Sequence, residues 1–225
     1  MAQTIARHWP TVLLLCWLPL VKWGLPAGWP RLLLFFAGGS ALAGLAVWRA
    51  GDWLRVRPLF AAPWSGLLAG LYGYTMLVGL GAVLVYLPLI QPVLPFALYE
   101  LATLFDPMPV YLVLASGGPF PPLATLAGVA LGSAAEEWIF RVALFWRWLP
   151  AQDATAPPRL LPRAGALARL VAVSAYFAAL HWPQPPGALA VALLGSLVVG
   201  LVLLWRPNYA LLATLHVLFN WRLLV

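Results

Sequence analysis

Three short polar motifs interrupt the long apolar runs in the C-terminal half of this 225-residue chain. They are E-E-x-x-x-R (Glu136, Glu137, Arg141), F-x-x-x-H (Phe177, His181) and H-x-x-x-N (His216, Asn220). A carboxylate beside an imidazole can hold a water molecule and take its proton. A second imidazole and an amide can donate hydrogen bonds to the oxyanion that forms on a carbonyl. These residue types could therefore hydrolyse an amide bond without a covalent intermediate.

The ionisable residues of the motifs fall at one depth if the apolar runs cross a membrane. Glu136, His181 and His216 each lie 10 to 12 residues from the Arg that flanks the same run, which is about 15–18 Å along a helix. The hydrocarbon core of a bilayer is about 30 Å thick, so all three positions are near its midplane. Ionisable groups at that depth are costly and by default indicate function.

Helical spacing predicts which of these groups pair with one another. Glu137 and Arg141 are four residues apart, so they share a helix face and can neutralise each other. Glu136 points about 100° away from that face, and we expect its partner to come from another helix, with His181 and His216 as the available groups. The alternative is a structural role, in which a protonated Glu136 bonds across helices.

Two versions of the chemistry remain open at this point. His216 and Asn220 are also four residues apart and can face one cavity, either as oxyanion donors or as interhelical hydrogen-bonding residues. Glu136, His181 and His216 could alternatively bind Zn²⁺, because two His and one Glu form a known catalytic set. The H-E-x-x-H signature of zinc proteases is absent, and so is the G-x-S-x-G turn of serine hydrolases. We therefore favour a mechanism without a cofactor and keep zinc as the alternative.

The composition predicts an all-α, polytopic bundle of about seven to eight membrane helices. The chain is 64% hydrophobic and 8% charged, whereas a soluble domain has about 25% charged residues. The stretch Val93–Leu114 is broken by prolines and acids, and it is either one poor span or two interfacial helices. The other candidate spans are Trp9–Leu25, Leu32–Trp48, Ser65–Ile90, Pro122–Trp146, Ala166–Trp182, Ala188–Trp205 and Tyr209–Leu224.

The charge pattern indicates a bacterial cytoplasmic (inner) membrane rather than nucleic acid as the partner. The net charge is +7, and the basic residues stand in short loops at the ends of apolar runs, as the positive-inside rule requires. The abundance of Arg, Ala, Leu, Pro and Trp is typical of a GC-rich bacterial genome. We interpret the first apolar run as a retained helix, with a cleaved signal peptide as the alternative.

The three motifs together resemble the signature motifs of the CPBP family, the CAAX-processing and bacteriocin-processing intramembrane glutamic endopeptidases. The resemblance covers Pro122–Leu224 and implies a single integral membrane domain over 1–225, with variable helices in 1–121 and a catalytic core in 122–225. It implies that a Glu and a His activate water and that a His and an Asn form the oxyanion hole. The implied catalytic residues are Glu136, His181, His216 and Asn220, supported by Glu137, Arg141 and Phe177.

The resemblance implies a membrane-associated protein or peptide as substrate and leaves its identity and the oligomeric state open. The loop 183–187 lies at membrane depth, where irregular backbone must line a cavity or be buried in protein. The cavity that this loop lines would open outward, which favours sortase-like removal of a C-terminal anchoring tail from exported proteins. The alternative is a non-proteolytic transporter or an assembly or immunity factor with a buried Glu–His proton site.

Overall fold

The computed structural model describes residues 2–86, 123–149, 164–182 and 184–222. Every regular element within these ranges is helical, which confirms the predicted all-α class. The predicted irregular segment 93–114 lies outside the described residues. Within the described parts, each of the seven predicted apolar runs is helical over most of its length.

The α-helices follow the apolar runs closely. They are α1 (Ala2–Gly24), α2 (Trp29–Leu33), α3 (Gly39–Ala50), α4 (Trp53–Val56), α5 (Pro63–Tyr86), α6 (Leu123–Glu136), α7 (Ala164–Ala179), α8 (Pro186–Trp205) and α9 (Tyr209–Arg222). Two π-helical turns continue α2 and α6, at Leu34–Gly38 and Glu137–Ala143. Short 3-10 turns lie at Arg57–Phe60 and Trp146–Trp148.

Two helical stretches among the described residues are long and apolar enough to cross a membrane. Pro30–Ala50 and Pro186–Trp205 have mean hydropathies of 1.6 and 2.6. Two shorter apolar helices, Ala164–Ala179 and Tyr209–Trp221, accompany them. Large apolar side chains are exposed along α8, as expected of a helix that faces lipid. The number of spans, seven to eight, stays a prediction.

The chain divides into two compact units. The first unit contains Met1–Ala62 and Ala135–Tyr209, and the second contains Pro63–Ala134 and Ala210–Val225. The division into a variable region 1–121 and a catalytic core 122–225 stays a prediction.

Small residues allow close packing in the first unit. The buried face of α3 carries Gly39, Ala43, Ala46 and Ala50, and α1 packs against this helix. A Cβ atom on Gly39 would lie 2.9 Å from Cδ1 of Ile139, so the π-helical turn 137–143 also approaches α3 closely. Small residues at helix contacts let backbones come together where water provides no driving force.

Helix α1 also holds the ends of the elements that carry the motifs. The Tyr176 hydroxyl on α7 donates to the Leu15 carbonyl at 2.6 Å, and Trp23 Nε1 donates to the Trp182 carbonyl at 2.9 Å. At the other end, the buried Arg147 donates through Nη2 to the Thr11 hydroxyl. Burial lowers the pKa of the Arg147 guanidinium, and the Asp52 carboxylate opposes this shift. The position of α7 therefore depends on α1.

In the second unit, α5 and α9 meet at a glycine. A Cβ atom on Gly70 would lie 2.6 Å from Cβ of Thr214 and 3.1 Å from the Leu211 carbonyl oxygen. Trp221 Nε1 on α9 donates to the Leu126 carbonyl on α6 at 3.3 Å. Helix α9 is thus in contact with both α5 and α6, the other helices that the structure describes in this unit.

We expect Gly70→Ala to destabilise the protein, because the added methyl group would collide with backbone and a β-carbon that cannot move aside. Overpacking of this kind costs about 1–3 kcal/mol. The matched control is Gly128→Ala, since nothing lies within 4 Å of a Cβ atom there. When both variants are unfolded in detergent, only Gly70→Ala should show a lower free energy of unfolding than the wild type. Equal stability of the two variants would contradict the close approach of α5 to α9.

Candidate active site

The helix that carries the two adjacent glutamates changes its geometry between them. Helix α6 ends at Glu136, and a π-helical turn begins at Glu137 and continues to Ala143. The Leu144 N–H donates to the Ile139 carbonyl at 3.0 Å, five residues back rather than four. Such π-helical turns are rare and frequently occur at functional sites. The two glutamates therefore lie on either side of a structural boundary.

Glu137 and Arg141 form the predicted ion pair, which the structure confirms. Arg141 Nε lies 3.5 Å from Glu137 Oε2, and both side chains are 2% exposed. Arg141 Nη2 also donates to the Ser196 hydroxyl on α8 at 2.9 Å. A buried charge needs such partners, because isolation in a low-dielectric interior is strongly unfavourable. The pair thus connects the π-helical turn to α8.

Phe177 lies between this ion pair and His181. Its ring centroid is 5.7 Å from Cζ of Arg141 and 4.7 Å from the imidazole centroid of His181. The ring also meets Phe140 edge-on, with centroids 4.9 Å apart. Phe177 is 7% exposed. The F-x-x-x-H motif is therefore in contact with the E-E-x-x-x-R motif, and the apolar ring fixes the spacing between them.

His181 lies in the turn that follows α7, not within the helix. Its backbone N–H donates to the Ala178 carbonyl at 2.9 Å, and its Nδ1 lies 2.9 Å from the Phe177 carbonyl oxygen. A carbonyl can only accept, so this contact assigns the proton of the neutral imidazole to Nδ1. The other nitrogen, Nε2, then carries the lone pair that a general base needs.

Glu136 has a different environment from Glu137. It is half-buried, and the Lys22 ammonium group of α1 is close enough to interact with its carboxylate electrostatically. Lys22 lies over the Phe35 ring, with Nζ 5.6 Å from the centroid. Lys22 is not among the residues that the sequence motifs predict. The available signal was that the only lysine of the chain stands inside its first apolar run.

The third motif belongs to the second unit. His216 and Asn220 are both half-buried on α9. Asn220 Nδ2 donates to the hydroxyl of Ser133 on α6 at 3.0 Å. Glu136 and His181 belong to the first unit, so the union of all four residues in one site stays a prediction.

The zinc alternative is not decided by the geometry within either unit. In neither unit do three His, Cys, Asp or Glu side chains of the described residues come close enough together to hold a metal ion. The alternative ligand set, Glu136, His181 and His216, draws on both units. The zinc alternative therefore stays a prediction.

Residues 118–222 match a protein family described as type II CAAX prenyl endopeptidase Rce1-like. The matched segment contains all three motifs, so the resemblance predicted from them is confirmed. No curated protein and no solved structure matches the chain. The family describes the motif-bearing part of the chain, whereas Lys22 lies outside the match.

We expect Glu137→Ala to lower the amount of folded protein, because it leaves the Arg141 charge buried without its carboxylate. Breaking a buried pair costs about 3–5 kcal/mol in soluble proteins. The matched control is the double variant Glu137→Ala/Arg141→Met, which removes both charges and should recover part of the loss. Abundance in membranes and unfolding in detergent measure the effect. Full abundance of Glu137→Ala with selective loss of activity would instead place Glu137 in the reaction.

Proposed function

We propose that this chain, which over residues 118–222 belongs to the Rce1-like family of type II CAAX prenyl endopeptidases, is a glutamic intramembrane endopeptidase. Its substrate is a peptide bond in a membrane-associated protein or peptide. Members of this family are embedded in membranes, and membership implies protease activity. The glutamic mechanism, the tail-processing role and a bacterial inner-membrane location are our proposal.

The contrast between the two adjacent glutamates carries the proposal. Glu137 is 1% exposed and its charge is balanced by Arg141, so it is suited to hold the structure. Glu136 is only half-buried, so part of its side chain is accessible to water and substrate. Pairs of titratable groups in unlike environments are how proteins divide roles between like residues. We assign the support role to Glu137 and the reaction to Glu136.

The first step is attack by water. Glu136 and Nε2 of His181 hold a water molecule between them. The Glu136 carboxylate takes one of its protons. The water oxygen bonds to the substrate carbonyl carbon, and the carbonyl π electrons move to its oxygen. The hydrogen bond from His181 Nδ1 to the Phe177 carbonyl supports this role, because it keeps the basic nitrogen available.

The second step is collapse of the tetrahedral intermediate. N–H groups of His216 and Asn220 donate to the oxyanion and lower its energy, a contribution worth about 10²–10³ in kcat per donor in serine proteases. The oxyanion then re-forms the carbonyl and the C–N bond breaks. The proton taken from water passes to the leaving nitrogen, and the new carboxylic acid gives its remaining proton to the released amine. The products are a carboxylate and an ammonium group, with no cofactor consumed.

The surroundings of His181 support an apolar tail as the substrate. A groove of about 330 Å³ lies between α7 and α8, lined by apolar residues that include Ala175, Ala178, Ala190 and Trp182. Trp182 is the residue after His181 and lies in the same turn, and Gln184 and Pro185 precede helix α8. A small-residue groove lets a helix approach closely. We propose that the substrate is an exported protein with a C-terminal membrane-anchoring tail.

We predict that Glu136→Gln abolishes proteolysis while the protein still inserts and folds, because the amide keeps the shape of the side chain but cannot take a proton. His181→Ala should have the same effect. Mass spectrometry of exported proteins from cells expressing each variant measures tail processing, and unfolding in detergent verifies the fold. Processing at the wild-type rate by Glu136→Gln would refute the mechanism and favour a non-proteolytic membrane protein.

A further prediction separates glutamate from zinc catalysis. Purified protein should contain no stoichiometric zinc by elemental analysis, and o-phenanthroline should leave most activity intact. His216→Gln should retain partial activity, because an amide can donate to an oxyanion but is a poor zinc ligand. About one zinc per chain, lost together with activity in this variant, would establish the metal mechanism instead.

A further inference from the structure

A buried serine on α6 contacts the last residue of the third motif. Ser133 is 2% exposed, and its hydroxyl accepts a hydrogen bond from Asn220 Nδ2 at 3.0 Å. Both residues belong to the second unit. Ser133 stands three residues before Glu136 in sequence and is not part of any of the three motifs.

The chemistry of an amide makes its orientation important. Asn presents a carbonyl oxygen on one side and an NH₂ group on the other, and rotation about χ2 exchanges them. Only the NH₂ side can donate to an oxyanion, whereas the oxygen would repel it. An Asn in an oxyanion hole therefore needs a neighbour that selects one orientation.

Ser133 is suited to make that selection. In this contact the hydroxyl oxygen is the acceptor and the NH₂ side of Asn220 is the donor. The bond therefore holds the amide in the orientation that keeps its NH₂ group, and not its carbonyl oxygen, toward α6. The bond uses one of the two N–H groups on Nδ2, and the second N–H remains free to point elsewhere.

We infer that Ser133 is a positioning residue, which orients the Asn220 amide so that its second N–H faces the oxyanion. This inference rests on the proposed function, because it takes Asn220 as an oxyanion donor. It adds a residue outside the three motifs to the machinery of the second step. It also gives a physical reason for a hydroxyl in the apolar face of α6.

The first test is the kinetics of Ser133→Ala on a cleaved membrane-tail peptide in detergent. We expect kcat to fall between about 10-fold and 100-fold, below the loss for removing the donor itself, with KM unchanged. The kcat of Ser133→Cys should lie between those of the wild type and Ser133→Ala, because a thiol fills the space but accepts a hydrogen bond more weakly than a hydroxyl. The matched control is Ser174→Ala, which removes a fully buried hydroxyl that has no hydrogen-bond partner among the described residues. Its kcat should equal that of the wild type.

The second test is a double-mutant cycle with Asn220→Ala. If Ser133 acts through Asn220, the double variant should be no slower than Asn220→Ala alone, since there is no amide left to orient. If the fold-losses in kcat of Ser133→Ala and Asn220→Ala instead multiply in the double variant, the inference is overturned. A wild-type kcat for Ser133→Ala would overturn it too. In both cases an inactive Asn220→Ala would leave the proposed function standing. Wild-type activity of Asn220→Ala would instead remove the oxyanion role and the inference with it.

Discussion

The buried ion pair between Glu137 and Arg141 is the interaction on which the first unit depends. Two opposite charges that are each 2% exposed can persist in an apolar surrounding only if they stay together and are further hydrogen-bonded. Arg141 therefore also donates to Ser196 on α8. It lies against Phe177 on α7 as well. A charge that requires all of these contacts at once fixes the π-helical turn and α7 and α8 relative to one another.

This arrangement supports the division of roles that we propose for the two neighbouring glutamates. Arg141 neutralises the charge of Glu137. Glu136, the residue before it, ends the α-helix and is half-buried, so its carboxylate has different surroundings. Phe177 contacts both Arg141 and His181. The ion pair therefore also helps to fix the position of the His181 imidazole. In the proposed mechanism the supporting Glu137 and the reacting Glu136 are thus adjacent residues, and the π-helical turn begins between them.

Much of the fold was predictable because apolar runs of about 20 residues leave few alternatives to helices. The Glu137–Arg141 pair was predictable too, since both residues lie on one segment and their spacing places them on one face. The π-helical turn was not, because one wider turn over seven residues scarcely alters a hydrophobic pattern. Lys22 and Ser133 were also missed. Their contacts join helices far apart in sequence, and no periodicity within a single helix reports on such contacts.

The most direct test of direct water attack is the fate of isotopically labelled water in the reaction. Purified protein in nanodiscs is incubated with peptides from C-terminal tails of exported proteins, in H₂¹⁸O with hydroxylamine present. We expect products whose new carboxylate carries a single ¹⁸O and no hydroxamate, because water attacks the carbonyl without an acyl-enzyme. A hydroxamate product whose rate of formation does not depend on the hydroxylamine concentration would show that a protein side chain attacks first, and it would contradict the assignment of Glu136 as the base that activates water.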